Sequence, residues 1–268
     1  METPFQALDQ LLATIAAKSD QFAAKLASMP SERVCTVHPG RSATLNEEAS
    51  YAAGKAVYRC PECVTTSAAA RRERRILAAG IPSDVHHATL LNFHTRRENV
   101  KLEQGFVTPE TFLQNALKFS KGEVRNLLLC GTPGIGKGHL AAALAIEAID
   151  SGESVAWTDC AALFSAYHRA YADNRQEQVI GPYVQAALLV LDEVCLRDLP
   201  ADGEEILFAI FDKRHKAALP SILLGNATAA KVRGWLGGRI TDRLRTGGVA
   251  FCYGEWESMR GNGDDGRF

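Results

Sequence analysis

The chain has 268 residues, of which 46% are hydrophobic and 23% are charged, and its formal net charge is -1. This composition is typical of a soluble globular protein with one large domain and a smaller one. A net charge this small excludes an overall attraction to nucleic acid, so any such contact must be local. No apolar run is long enough to cross a membrane, and the polar N-terminus has no secretory pattern. Seven cysteines without such a pattern predict a reducing, cytoplasmic environment.

The first predicted element is a helix over Pro4–Ser28, which Met29-Pro30-Ser31 ends. Its apolar side chains recur at spacings that share one face: Phe5, Leu8, Leu11, Leu12, Ile15, Phe22 and Leu26. Such a face either packs within its own domain or docks a partner protein. The sequence leaves both interpretations open.

Two pairs of metal-ligating residues follow this helix. Cys35 and His38 form a C-x-x-H pair, and a polar loop separates them from the C-x-x-C pair of Cys60 and Cys63. Three thiolates and one imidazole make a closed tetrahedral set, which suits structural Zn²⁺ and leaves no position for a catalytic water. We therefore predict a zinc site whose metal supplies much of the folding free energy of this small segment.

A connector rich in alanine and arginine follows Cys63 and is predicted to be helical as far as Gly80-Ile81-Pro82. Its positive charge comes from Arg71, Arg72, Arg74 and Arg75. These arginines form a solvated surface or contact a nucleic-acid backbone. We expect an N-terminal domain at residues 1–78, a linker at 79–100, with a short connection at 85–92, and a larger domain at 101–268.

The larger domain is predicted to be α/β. Thr108, Pro109 and Glu110 have the pattern of a helix start, which predicts a helix over 108–119. After it, apolar strands alternate with helical patterns. The strands are predicted at 127–130, 154–158, 187–191, 221–224 and 249–252, and the helices at 139–149, 161–171, 202–217 and 229–236. This alternation predicts a five-stranded parallel sheet flanked by helices.

The first of these strands leads into the sequence GTPGIGKG, a G-x-x-x-x-G-K loop followed by a helix. The amides of such a loop and the N-terminus of its helix form a cradle for phosphate oxygens, and Lys137 can reach the β and γ phosphates. The predicted nucleotide contacts are Gly131, Thr132, Pro133, Gly134, Ile135, Gly136, Lys137, Gly138 and His139. Gly138 departs from the pattern, which has a Mg²⁺-binding hydroxyl there. We therefore expect ATP to bind and hydrolysis to be slow.

The third strand ends in Leu191-Asp192-Glu193, an apolar strand that delivers two acids to its carboxyl edge. Ligands bind at that edge in open α/β sheets. Asp192 is predicted to hold Mg²⁺, directly or through water, and Glu193 to act as the general base for the attacking water.

Polar residues near later elements extend this site. Asn226 follows the fourth strand, where an amide can reach between the γ-phosphate and the water, although asparagine there is also an ordinary turn residue. Arg239 and Arg243 are four residues apart and would share a helix face, and Arg245 follows. They are surface charges or stabilise a transferring phosphoryl group in a neighbouring subunit.

Together these motifs resemble the DnaC/DnaI-type replicative helicase loaders, within the wider AAA+ ATPases. The resemblance covers nearly the whole chain, through GTPGIGKGHLAAAL, LLVLDE, PSILLGN, LGGRITDRLR and WESMR in the order of that family, preceded by the zinc segment and RRERRILAAGIP. It implies that Asn226 is sensor 1, Arg243 the arginine finger and Arg260 sensor 2, with Arg239 as a second arginine of the same box. Only a short tail follows Cys252, so the lid is reduced and Arg260 must act from that tail.

The resemblance also implies a function: ATP-dependent loading of a hexameric replicative DNA helicase onto single-stranded DNA, by a homo-oligomer on the helicase ring. The implied cofactors are ATP, Mg²⁺ and Zn²⁺. Residues 1–78 would bind the helicase, and the ATPase domain would bind DNA through the helix that carries Tyr167, His168, Arg169 and Tyr171. Packing explains those tyrosines equally well. Three alternatives stay open: an IstB-type transposition helper, a nucleotide-gated adaptor without turnover, and a zinc-dependent nucleic-acid-binding module.

Overall fold

The structure is a computed structural model that describes residues 18–38, 40–53, 55–96, 99–101 and 105–258. The start of the predicted first helix, residues 4–17, and Arg260 lie outside the described residues. The chain divides into two compact units, Met1–Arg71 and Arg72–Phe268, and the boundary falls inside a helix. None of the helices in the described ranges combines the length and the apolar character needed to cross a membrane.

The first unit is built on a three-stranded antiparallel sheet whose central strand is β2. Its elements are α1 (residues 18–27 among those described), β1 (Glu32–Val34), β2 (Ser42–Leu45), α2 (Glu47–Ala53), β3 (Tyr58–Arg59) and the start of α3 (Pro61–Ala78). The buried core at this sheet consists of Cys35, Ala43 and Cys60. Apolar burial this limited offsets little of the entropy lost on folding, which agrees with a unit that depends on metal ligation.

The second unit contains a five-stranded, all-parallel sheet in the order β5-β6-β7-β4-β8, so the predicted α/β architecture is confirmed. Its strands are β4 (Asn126–Gly131), β5 (Val155–Asp159), β6 (Leu188–Val194), β7 (Ser221–Gly225) and β8 (Val249–Gly254). Its helices after α3 are α4 (Pro109–Ser120), α5 (Lys137–Asp150), α6 (Cys160–Arg169), α7 (Gln176–Gln185), α8 (Gly203–Lys216) and α9 (Ala229–Arg245).

Both faces of this sheet are covered by helices, which is why β4 is apolar along its length and fully buried. Successive side chains of a strand point to opposite faces. Leu127 and Leu129 accordingly lie in a core with residues of α4 and α5, whereas Leu128 and Cys130 lie in a second core with residues of α6, α8 and α9.

Helix α7 has no counterpart among the predicted elements. It runs through QEQVIGPYVQ, buries only Ile180 and contains Pro182 in its interior. Proline inside a helix removes a hydrogen bond and usually ends the helix, so this pattern is typical of a loop. Packing against α6 and α8 sustains the helix in spite of its sequence.

Two predicted helices are longer in the structure. The helix predicted after Cys63 begins at Pro61, because proline suits the first helical position, and Cys63 therefore lies in its first turn. The helix predicted over 229–236 continues to Arg245 across a kink at Gly237, where φ is 76°. Glycine tolerates that left-handed conformation, so the chain changes direction and resumes a helix.

Residues 79–100, expected as a linker, contribute side chains to the core of the second unit. Ile81, Ala88 and Phe93 are buried there against residues of the sheet and of α5. The described part of this segment, residues 79–96 and 99–100, is irregular, with one 3₁₀ turn at Ser83–Val85. Its apolar residues therefore follow no helical or strand period, and the sequence alone gives no sign of their burial.

Candidate nucleotide site and metal centre

The loop between β4 and α5 has a backbone that only glycine accommodates at two key points. Gly131 and Gly136 have φ of 141° and 96°. A Cβ atom at Gly131 would lie 2.0 Å from the carbonyl oxygen of Gly254, and one at Gly136 would lie 2.7 Å from the ring of Phe93. Helix α5 begins at Lys137, and Gly136 offers no capping side chain. The amides at its N-terminus are therefore available to an anion, which fits the predicted phosphate cradle.

Lys137 folds back over this loop. Its ammonium group donates hydrogen bonds to the carbonyl oxygens of Gly131 and Thr132, at 2.9 and 2.8 Å. Its positive charge opposes part of the rise in the pKa of the Asp192 carboxyl group, whose net shift is upward. The loop and the acid of β6 therefore lie at the same edge of the sheet, and their joint role in binding a nucleotide stays a prediction.

Strand β6 changes register with β7 between Leu191 and Val194, and the two predicted acids lie in this irregularity. Glu193 is exposed and has a φ of 57°, a left-handed conformation that is costly for a non-glycine residue. Its backbone N–H donates to the carboxylate of Asp192 at 2.7 Å. Strain of this kind is common at functional sites, because it orients a side chain that regular strand geometry would turn away.

Asp192 lies in a site where negative charge is costly. Burial is the main cause that raises the pKa of its carboxyl group, and the neighbouring carboxylates of Glu193 and Asp159 raise it further. Asp159 is opposite Asp192 in the β5–β6 register and caps α6 by accepting from the amide of Ala162 at 2.7 Å. Asp159 is not among the site residues that the motifs predict, although an acid between a strand and a helix was the signal available. A divalent cation would relieve the repulsion among these acids.

Asn226 lies between the loop and the acids because of the strand order. The last residue of β7, Gly225, is opposite Cys130 of β4 on one side and Val194 of β6 on the other. Asn226 is the next residue and is exposed. The structure therefore brings Lys137, Asp192, Glu193 and Asn226 to the same carboxyl edge of the sheet.

The four predicted metal ligands of the first unit converge. One ligand atom from each of Cys35, His38, Cys60 and Cys63 lies within 4.8 Å of the others. The Sγ atoms of Cys35 and Cys63 are 3.5 Å apart, and the Nδ1 atom of His38 is 3.2 Å from the Sγ of Cys63. A tetrahedral zinc site with metal–sulfur bonds of about 2.3 Å has ligand atoms about 3.8 Å apart, so the cluster fits a closed zinc site.

Two thiols of this cluster have pKa values shifted in opposite directions. The backbone N–H of His38, 3.3 Å from the Sγ of Cys35, is the main cause that lowers the pKa of that thiol to about 6. The neighbouring Cys35 raises the pKa of Cys63 to about 11. In this close pair one sulfur is a thiolate and the other keeps its proton, which a bound cation would displace.

Comparison with known proteins identifies the family. Residues 65–242 match the family described as IstB-like ATP binding protein. The chain belongs to the IstB-like ATP-binding protein family. A curated relative, the replicative helicase loader DnaC of Escherichia coli K12, is 27% identical over 197 residues, which are 72% of this chain and 80% of that protein. An IS21 ATP-binding protein of Pseudomonas aeruginosa is 32% identical over 99 residues, or 37% of each chain.

A solved structure shows the same fold. The crystal structure of the DnaC helicase loader superposes with a TM-score of 0.54 at 17% identity, and the match covers 64% of this chain and 99% of that one. The core of this IstB-like protein is therefore an AAA+ P-loop ATPase fold that binds ATP, in agreement with the resemblance found in the sequence.

The predicted arginines of this IstB-like protein lie on an outer face. Arg239 and Arg243 share a side of α9, and their guanidinium groups lie 3.7 and 5.6 Å from the centroid of the Phe208 ring. Arg243 also donates to the carboxylates of Asp212, at 3.1 Å, and Asp242, at 3.2 Å. An arginine finger acts on a neighbouring subunit, so that role for Arg243 stays a prediction.

The helix predicted to face DNA makes several contacts within the chain. The Nε2 atom of His168 is 2.9 Å from the carboxylate of Asp202, and the hydroxyl of Tyr171 donates to the same group at 2.9 Å. Packing therefore accounts for Tyr171, which stacks on His168. Beside this helix is a cleft of about 570 Å³ whose lining includes Arg169, Arg197, Trp235 and Glu193. No sequence motif predicts this cleft, because its walls come from three separate segments of the chain.

Two of the four connector arginines make contacts inside the second unit, between the last part of α3 and the end of α5. Arg72 donates to both carboxylate oxygens of Asp150, at 2.6 and 2.9 Å. Arg75 donates to the carbonyl oxygens of Ile149 and Glu153, each at 2.6 Å. These contacts favour the structural interpretation of the arginine run over a continuous nucleic-acid contact.

Proposed function

We propose that this IstB-like ATPase loads a hexameric replicative DNA helicase onto single-stranded DNA, with ATP hydrolysis driving the cycle. The proposal is carried by one observation: a phosphate loop, two acids and an amide at a single sheet edge, in a chain similar to DnaC over 80% of that protein. The zinc-ligand cluster is the second support, because it provides a separate unit for partner binding.

Each residue of the nucleotide site has a proposed task. The loop amides and Lys137 bind the phosphates, and Asp192 holds Mg²⁺, which neutralises charge on the phosphate oxygens when bound. Glu193 accepts the proton of the attacking water, and Asn226 orients that water. Gly138 supplies no hydroxyl to the metal, so we expect slow turnover that a partner stimulates.

The proposed sensor 2 acts from the C-terminal tail. Ser258 lies against the phosphate loop, since a Cβ atom at Gly134 would be 1.9 Å from its Oγ. Arg260 lies two positions after Ser258 in the sequence and outside the described residues. We propose that its guanidinium group contacts a nucleotide phosphate.

The remaining surfaces are proposed for the partners. The zinc-bearing first unit binds the helicase, which leaves the second unit free to bind DNA. Single-stranded DNA enters the cleft beside α6, where Arg169 and Arg197 offer charge to phosphates and Trp235 offers a ring for stacking. Glu193 also lines this cleft, so DNA there would be adjacent to the proposed general base.

The decisive experiment mixes the purified protein with the replicative helicase of its host and measures complex formation without nucleotide, with ATP and with ADP. We expect a stable complex that depends on the nucleotide and that deposits the helicase on single-stranded DNA. A lack of complex in every nucleotide state would refute the loader. The Glu193→Gln variant is the matched comparison, because it should keep ATP bound and trap the complex.

A transposition helper is the second candidate, and the match to the IstB-like family and to the IS21 protein favours it. A neighbouring transposase gene, or a complex with that transposase in place of the helicase, would support it. The zinc segment argues for the loader.

The nucleotide-gated adaptor and the zinc-dependent nucleic-acid-binding module are tested by separate measurements. Steady ATP turnover that disappears in Glu193→Gln, while ATP binding survives, would exclude the adaptor. DNA binding that depends on the Cys35–Cys63 segment and not on nucleotide would favour the module.

A further inference from the structure

The tail that follows β8 lies directly on the phosphate loop. We call residues 254–258, which begin at the last residue of β8, the strap. Its central residue, Trp256, is buried, and its indole Nε1–H donates to the carbonyl oxygen of Ile135 at 3.2 Å. The indole ring packs edge-to-face on Phe112 of α4, with centroids 5.0 Å apart. One side chain therefore joins the hydrophobic core to a backbone carbonyl of the loop.

Two further contacts hold the same loop from the same segment. The backbone N–H of Thr132 donates to the carbonyl oxygen of Gly254 at 3.3 Å. Ser258 packs so closely on Gly134 that no Cβ atom would fit there. Because the contacts fall at three of the five residues between β4 and α5, the strap restrains the loop backbone over most of its length.

We propose that Trp256 is a positioning residue for nucleotide binding, which it supports by fixing the orientation of one peptide group in the loop. A trans peptide is planar, so its C=O and N–H bonds point in opposite directions. The carbonyl of Ile135 and the amide of Gly136 belong to the same peptide. Holding the carbonyl toward the strap therefore directs the amide of Gly136 away from the strap, toward the start of α5, where a phosphate would be bound.

The peptide between Ile135 and Gly136 needs such a restraint because glycine does not fix its orientation. Gly136 has a φ of 96°, and glycine accepts both signs of φ, so this peptide could turn over at little steric cost. A turned peptide would present a carbonyl oxygen to the phosphates in place of a donor. The hydrogen bond from Trp256 removes that alternative before the nucleotide arrives.

The test separates the hydrogen bond from the packing of the ring, and it rests on the proposed ATP function. In the full-length protein, Trp256→Phe keeps an aromatic ring against Phe112 and removes the N–H donor. We expect a fluorescent ATP analogue to bind about tenfold more weakly, the size of effect typical of one buried hydrogen bond. Phe112→Leu weakens the packing and keeps the donor, so we expect it to lower the melting temperature without an equal loss of affinity.

Trp157→Phe is the matched control, because it makes the same change at a buried tryptophan on β5, at the far edge of the sheet from β8. It should leave nucleotide affinity unchanged. Equal affinities of Trp256→Phe and Trp157→Phe, or a Trp256→Phe protein that does not fold, would overturn the positioning role. A wild-type protein that binds no ATP would instead refute the proposed function, so the two failures are distinguishable.

Discussion

The two units of this protein hold their functional sites by opposite means. The nucleotide site lies at the edge of a parallel sheet whose strands are covered on both faces by apolar cores. The metal cluster lies in a unit whose buried core at the sheet has, among the residues that the structure describes, three members, two of them proposed ligands. In the second unit folding brings the site residues together, whereas in the first unit we expect metal binding to supply much of the free energy of folding. A change at the metal cluster should therefore affect the stability of the first unit, whereas a change at the candidate nucleotide site should affect ligand binding by the second unit.

The largest effect is expected from Cys60→Ser, which removes one proposed metal ligand. We predict that the first unit loses its metal and unfolds, because little apolar burial remains to hold it. The second unit should keep its melting transition and its ATP affinity. Metal analysis together with hydrogen exchange checks both statements, and an unchanged zinc content in the variant would contradict the ligand assignment.

Lys137→Ala tests the candidate nucleotide site of the second unit. We predict that it abolishes ATP binding, because the ammonium group that faces the β and γ phosphates is gone. The fold should survive, since the ammonium group donates to the carbonyl oxygens of two loop residues, Gly131 and Thr132, rather than joining separate elements of the core. Titration with ATP and a thermal melt measure the two properties. Retained normal affinity would overturn the phosphate assignment.

Arg214 tests how far the second unit depends on buried polar contacts. It is almost fully buried, and burial lowers the pKa of its guanidinium group to about 10. It donates to the hydroxyl of Ser221 and to the carbonyl oxygens of Tyr183, Ala186 and Pro220, among others. We predict that Arg214→Met lowers the free energy of unfolding by about 3 kcal/mol, because it leaves several buried carbonyls unpaired.

The control for that variant is Arg175→Met, at an exposed side chain paired with Asp173. Exposed pairs contribute about 1 kcal/mol or less, so denaturant unfolding should separate the two variants clearly. Equal effects would show that the contacts of Arg214 are dispensable. Zinc content should be unchanged in both variants, because both substitutions lie in the second unit and the proposed metal ligands lie in the first.

The smallest predicted effect is a pH dependence at Asp192. Burial and neighbouring carboxylates raise the pKa of this group, so it takes up a proton at a higher pH than an ordinary aspartate. Mg²⁺ requires the deprotonated form, and its affinity in the presence of ATP should therefore fall as the pH decreases toward the raised pKa. Asp192→Asn should bind Mg²⁺ weakly with a flatter pH profile. An identical profile in both proteins would remove Asp192 from the metal site.

Residue spacing alone pointed to most of the residues that the structure brings together at the two candidate sites, whose ligands stay predictions. The metal pairs, the glycine loop with Lys137, and the acids after an apolar strand are local patterns, and local patterns act through backbone geometry within a few residues. The alternation of strand and helix predicted the parallel sheet for the same reason. Helix α7 was not predicted, because its stability comes from neighbouring helices rather than from its own residues. The burial of Ile81, Ala88 and Phe93 was not predicted either, because the backbone around them is irregular and gives their apolar side chains no regular spacing.

Only the tertiary structure decided what surrounds the loop. The strand order brings Asn226 between the loop and the acids, puts Asp159 opposite Asp192, and runs β8 beside β4, so that Trp256 reaches Ile135. These pairs are separated by tens to more than a hundred positions in the sequence. Contacts of that kind depend on how the whole core packs, and a single sequence carries no short-range signal for them.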